Sequence, residues 1–260
     1  MRNTSTWLDS PPSPTTWSPN SFRVLPTLLA AVGATCVVIV AVALYVAYAL
    51  FQGTIDPAHT ERIAPVQTLV AQLIAYFPVA LYFLIILPPL SGRSLKELGI
   101  RMPTARELLL AVGVAGLMWI VVTGSSAAVE TLSHHRDTEA AIALLKGIKT
   151  PYEKFLFVSV AVVFAPLVEE LAFRVFAFNA ILRWTNVPVA AVCSGILFGL
   201  VHALGAAPSQ LLTVSLPLAL GGIVLAGIYA ATRCYWASVL THALFNSVTV
   251  VAYFIFGVKS

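Results

Sequence analysis

The stretch "FAPLVEELAFR", residues 164–174, sets two adjacent glutamates and an arginine inside an apolar run. It follows "FLFVSVAVV" and leads into "VFAFNAIL", so Glu169, Glu170 and Arg174 do not occupy a solvated edge. Glu170 and Arg174 are four residues apart, which stacks them on one helical face and lets them pair. Glu169 lies about 100° around the helix from Glu170, its carboxylate left for another task. Two of the five histidines also fall in apolar runs, His202 in "FGLVH" and His242 in "HALFN", and Asn246 stands one turn beyond His242 on the same face. His59, His134 and His135 lie in polar loops. If the three apolar segments converge, they bring together a base, hydrogen-bond donors and an ion pair. That set is suited to hydrolysis by an activated water. The competing reading is a buried ion network that only fixes helix register.

The elements that position these groups are membrane helices. Of the 260 residues, 59% are hydrophobic and only 10% are charged, with a mean hydropathy of +0.90. Soluble domains average roughly 25% charged residues, so this chain cannot cover itself with a water-compatible surface. A charge at the centre of a spanning helix costs about 2.5–3.5 kcal/mol, which makes the residues above a default functional candidate. The net charge of +4 comes from 15 Lys and Arg against 11 Asp and Glu. Most of the basic residues lie between apolar runs, and nothing points to nucleic acid. Cys36, Cys193 and Cys234 show no paired spacing and read as small packed side chains.

Residues 1–22, rich in Pro, Ser and Thr, read as a flexible polar tail. Apolar segments follow at 24–51, 64–90, 107–130, 154–183, 187–206, 208–231 and 233–257. The expected fold is an all-α polytopic membrane helix bundle of about seven helices, within a range of six to eight because the link at 206–208 is short. Residues 23–153 form its N-terminal helices and loops, and 154–257 the segment that carries the candidate chemistry. Pro166 has no N–H for the Val162 carbonyl and predicts a kink three residues before Glu169. Small residues repeat every fourth position at Gly195, Gly199 and Ala203 and at Gly222, Ala226 and Ala230, predicting close helix packing. The loops at 91–106 and 131–154 carry four basic residues each, so the charge rule leaves orientation open, with a lean to a cytoplasmic N-terminus.

Taken in order, "EELAFR", "FGLVH" and "HALFN" resemble the EExxxR, FxxxH and HxxxN motifs of the CAAX prenyl protease and bacteriocin-processing family of intramembrane proteases. The resemblance runs over roughly residues 155–250. It implies that Glu169 activates water as general base and that His202 holds and polarises that water. It also implies an oxyanion pair of His242 and Asn246, with Glu170 and Arg174 orienting the site and engaging substrate. One departure is Val175, where many relatives follow the arginine with glycine. The bottom-up reading agrees that Glu170 has a partner on its own face while Glu169 does not.

Glu169, His202 and His242 would supply three zinc ligands with a fourth position for water. Against zinc stand the lack of an HExxH helix and of an evident outer carboxylate for either histidine. The reading favours a glutamate mechanism that needs no cofactor, with zinc as the alternative. The expected partners are the lipid bilayer and a peptide or protein substrate, with no nucleic acid and an open oligomeric state; the membrane is the cell membrane if the chain is prokaryotic. Two other functions compete: a non-catalytic immunity or scaffold protein that keeps the fold, and a transporter with a Glu/His proton relay. The transporter should carry broken helices in two related halves, and no such repeat is visible.

Overall fold

A computed structural model of the protein describes residues 17–51, 65–133, 144, 147–204 and 211–256. Residues 1–16 of the tail, His59, His134, His135 and the 206–208 link lie outside the described residues. Seven helices follow one another: α1 (Val24–Phe51), α2 (Pro65–Ser91), α3 (Ala105–Ser133), α4 (Pro151–Leu182), α5 (Val187–His202), α6 (Leu211–Thr232) and α7 (Tyr235–Phe256). Six are long and apolar enough to cross a membrane, and Leu25, Leu44, Ile85 and Leu109 turn outward as lipid-facing side chains do. The protein is a polytopic membrane helix bundle.

Helix α5 is the exception in length. Its 16 residues extend roughly 24 Å, short of the roughly 30 Å hydrocarbon core. It stops at His202, four residues before the end expected from hydropathy, because Ala203 leaves the helical region at φ −89° and ψ 3°.

Local sequence sets the helix starts. Thr150 and Glu153 form a reciprocal capping box before α4, with Pro151 in the first turn where a missing N–H costs nothing. Asn186 caps α5 by accepting from the Val189 N–H at 3.1 Å. Thr104 and Glu107 act likewise at α3, Glu107 Oε2 accepting from the Thr104 N–H at 2.7 Å.

Helices α5 and α6 pack backbone to backbone along the two small-residue stripes. A β-carbon on Gly195 would stand 2.8 Å from the Ala219 carbonyl oxygen, and one on Gly222 2.9 Å from Gly195 Cα. On Gly199 it would collide with the Ser215 carbonyl oxygen. In lipid, where apolar burial supplies little drive between helices, such close approach is what holds them. Helix α1 leans on α2 at the edge of the bundle, where Tyr82 Oη donates to the Ala30 carbonyl at 2.9 Å.

Residues 17–22, expected within the tail, are packed. Trp17 and Phe22 are buried, the Phe22 N–H donates to Leu90 O at 2.8 Å, and the Arg93 guanidinium stacks on Trp17. Two aromatic side chains supply the apolar area that the polar composition of the whole stretch conceals. The three cysteines are unbridged, and burial pushes the Cys234 thiol up.

Helix α4 changes register on either side of its glutamates. Ser159–Phe164 and Leu171–Phe178 are π-helical and flank the α-helical turn that carries both glutamates. The Ala165 N–H therefore reaches five residues back, to Val160 O. The carbonyl left facing Pro166 is Ala161's and not Val162's, as an unbroken α-helix would have it.

Replacing Gly199 with valine should overpack the α5–α6 seam at a cost of about 1–3 kcal/mol. The purified protein in detergent should then unfold at a measurably lower temperature, whereas a valine at Gly113, with open space around it, should not change the midpoint.

Candidate active site

Helix α7 meets α4 along one stripe. Ser238, His242 and Asn246 stand one turn apart and face successive levels of α4. Ser238 Oγ donates to Glu170 Oε2, His242 Nδ1 lies 3.1 Å from Glu170 Oε1, and Asn246 Nδ2 donates to Ala161 O at 2.7 Å. That last carbonyl is the one Pro166 leaves without a helical donor, so Asn246 repairs the break from the neighbouring helix.

Glu170 and Arg174 pair as their spacing predicts, with Arg174 Nε 2.9 Å from Glu170 Oε2. Arg174 also donates from Nη1 to Ser194 Oγ at 3.2 Å, and its guanidinium carbon lies 5.1 Å from the Phe198 ring centroid. Both charged side chains are 0% exposed. A buried pair repays desolvation only when its remaining polar atoms are also satisfied, and here serines and a histidine satisfy them. The pair is enclosed by its partners from α4, α5 and α7.

Glu169 points the other way. Its Oε2 is buried without a hydrogen-bond partner among the described residues, and faces His202 Nε2 at 3.7 Å and His242 Nε2 at 3.8 Å. Its Oε1 lies 3.5 Å from Tyr76 Oη, donated by α2. The far nitrogens of both rings are tied down: His242 Nδ1 by Glu170, and His202 Nδ1 by Phe198 O at 2.8 Å. These acceptors assign the proton to Nδ1 in each neutral ring, which turns both Nε2 lone pairs toward Glu169. Phe198 wedges the two rings, 4.4 Å from the His202 centroid and 5.6 Å from that of His242. Glu169 and His202 side chains are 17% and 22% exposed, so the cluster is reachable while the ion pair beside it is sealed.

The carboxylate behind His242 overturns one expectation: an outer carboxylate does serve this histidine. Zinc is still a poor fit. Bonds of 2.0–2.1 Å to a tetrahedral ion would set ligand atoms roughly 3.3 Å apart, closer than the 3.7 and 3.8 Å found. Among the described residues no group of three His, Cys, Asp or Glu meets metal-binding geometry.

Five of the residues singled out in the sequence, Glu169, Glu170, Arg174, His202 and His242, are thus brought together from α4, α5 and α7, while Asn246, one turn beyond His242, meets α4 at Ala161 O. Three partners were missed. Ser238 was available to inspection, one turn before His242 on the same stripe. Ser194 and Tyr76 carried no local signal, since one sits among packing residues and the other on a helix 93 positions away from Glu169.

Residues 151–248 match the family described as type II CAAX prenyl endopeptidase Rce1-like. The match covers the C-terminal helices α4 to α7. This bears out the resemblance carried by the three motifs. The "Putative membrane peptidase YdiL" of Bacillus subtilis (strain 168) is 27% identical over 143 residues, 55% of this chain and 51% of that protein. The chain therefore spans about half the length of the curated relative it matches. No solved structure matches the chain significantly. Tyr76 lies outside the Rce1-like segment.

Two outcomes follow from this packing. Glu170→Gln leaves Arg174 buried with its charge unbalanced and should destabilise the protein by about 3–5 kcal/mol, seen as a steep loss of thermal stability in detergent. Asn246→Ala should cost about 1–3 kcal/mol by stranding the Ala161 carbonyl. On a Pro166→Ala background, where the backbone regains a donor, the same change should cost about 1 kcal/mol less.

Proposed function

We propose that the protein is an intramembrane endopeptidase, hydrolysing a peptide bond of a membrane-associated peptide or protein with water activated by Glu169. The observation that carries this reading is the unpartnered Glu169 Oε2 facing two Nε2 lone pairs. Three acceptors around one small volume suit a molecule with two protons to donate, and water is that molecule. Water held there gives one proton to Glu169 Oε2 and directs the other at His202 Nε2. As its oxygen bonds to the carbonyl carbon, the first proton passes to Glu169. Collapse of the tetrahedral intermediate breaks the C–N bond, and Glu169 returns the proton to the leaving amine.

Asn246 uses Nδ2 on Ala161 O and retains a second amide N–H for the developing oxyanion. His242, one turn before Asn246 and held at Nδ1 by Glu170, is its neighbour on the oxyanion side. Tyr76 holds the second oxygen of Glu169 and so aims Oε2 at the water. In a prokaryote the membrane concerned is the cell membrane. Prenylated C-terminal tails and secretion leaders are both substrate classes that relatives of this bundle suggest; a bacterial chain favours a leader or another membrane peptide.

The test compares newly formed peptide N-termini in membranes from cells making wild type or Glu169→Gln. Cleavages that depend on the wild type should fall about 100-fold or more in the variant, while its abundance and thermal midpoint stay close to wild type. Equal cleavage by both proteins would overturn the reading, and loss of folding in Glu169→Gln would return Glu169 to a structural ion network.

A further inference from the structure

The end of the bundle where α2, α4 and α6 finish and α1, α3, α5 and α7 begin carries uncompensated positive charge. The residues there hold seven Lys or Arg against two glutamates, Glu97 and Glu107. Both acids are engaged: Glu107 pairs with Arg101, and Glu97 accepts from the Ser94 N–H at 2.8 Å. Among the described residues no carboxylate pairs with Arg183 or Arg233.

The Arg183 guanidinium carbon lies 5.1 Å from the Trp184 ring centroid, and that of Arg233 5.4 Å from the Tyr229 ring centroid. Arg233 Nη1 donates to Asn179 Oδ1 at 3.3 Å, and Asn179 stands one helical turn before Arg183. Arg183 Nε and Arg233 Nη2 are nevertheless buried with no acceptor. Buried guanidinium N–H groups without acceptors are costly, and the described residues supply none. Arg233 is also held in the left-handed region, at φ 49°. Gly99, at φ 92°, makes this conformation fit: its Cα packs so tightly against Arg233 O that a β-carbon would come within 2.7 Å of it. Arg233 follows the last residue of α6, a position where a left-handed residue commonly ends a helix. Exposed Trp184 and Trp236 flank the two arginines in sequence and mark this end as the membrane interface.

We propose that Arg183 and Arg233 form a binding site for a phosphate group at the membrane surface, between the C-terminal end of α4 and the α6–α7 turn. Two guanidinium forks match phosphate oxygens in charge and geometry. Both side chains are partly exposed, so the group enters from the interface, and it supplies the acceptors that the described residues lack. The phosphate of an anionic phospholipid headgroup and free inorganic phosphate share this chemistry. Through Asn179 the occupied site would brace the helix that carries Glu169.

Thermal unfolding of the purified full-length chain in a neutral detergent tests the proposal. Added phosphatidylglycerol should raise the midpoint by about 5 °C, phosphatidylcholine by much less, and the gain should vanish in Arg183→Gln and in Arg183→Gln/Arg233→Gln. Lys96→Gln, at the same end of the bundle, should keep it. The single Arg183 variant removes no protein hydrogen bond of that side chain, so it stays informative if Arg233→Gln impairs folding. An equal gain from inorganic phosphate alone would assign the site to the free anion. A phosphatidylglycerol gain that survives in both arginine variants, or no gain in wild type, would overturn the site.

Discussion

A guanidinium and a carboxylate sealed together in a membrane protein set the terms for everything around them. Neither Glu170 nor Arg174 reaches solvent, and neither can be left with idle polar atoms in so low a dielectric. Ser194 from α5, Ser238 and His242 from α7 and the turn of α4 that bears the pair must therefore meet in a single arrangement. A slip of one helix by one residue would strand a charge. Three helices are locked in register by one electrostatic requirement, and the reactive cluster takes its geometry from that lock.

The neighbouring glutamates divide the work because they point in different directions. Glu170 faces into the helix interface, where it meets Arg174, Ser238 and His242. Glu169 faces the two Nε2 atoms and remains partly accessible. The π-helical stretches on either side of them belong to this arrangement. They rotate the flanking parts of α4 relative to the central turn, and the carbonyl set free beside Pro166 becomes the anchor for Asn246. Asn246 therefore has a structural duty independent of any part in chemistry.

Much of this was legible in the sequence, and the reason is energetic. Charged and imidazole side chains in apolar runs are conspicuous because lipid makes them expensive, so Glu169, Glu170, Arg174, His202, His242 and Asn246 stood out unaided. The seven apolar segments and the glycine stripes of α5 and α6 were visible for related reasons of length and period. What escaped notice costs little by itself. Ser194 and Ser238 are cheap in a helix and acquire meaning only from Arg174 and Glu170. Tyr76 is an ordinary aromatic of α2 until the fold sets it against Glu169. The register change in α4 and the end of α5 at His202 depend on packing that hydropathy does not encode.

The shortness of α5 has a further consequence. A helix of 16 residues beginning at one face of the bilayer ends before the other, with His202 in its last turn. On that side alone, the distance between the polar cluster and bulk water is reduced by the missing turns. His202 therefore stands at the end of its helix, with its side chain 22% exposed. The three helices that bury a charge pair completely thus leave its neighbour Glu169 partly exposed.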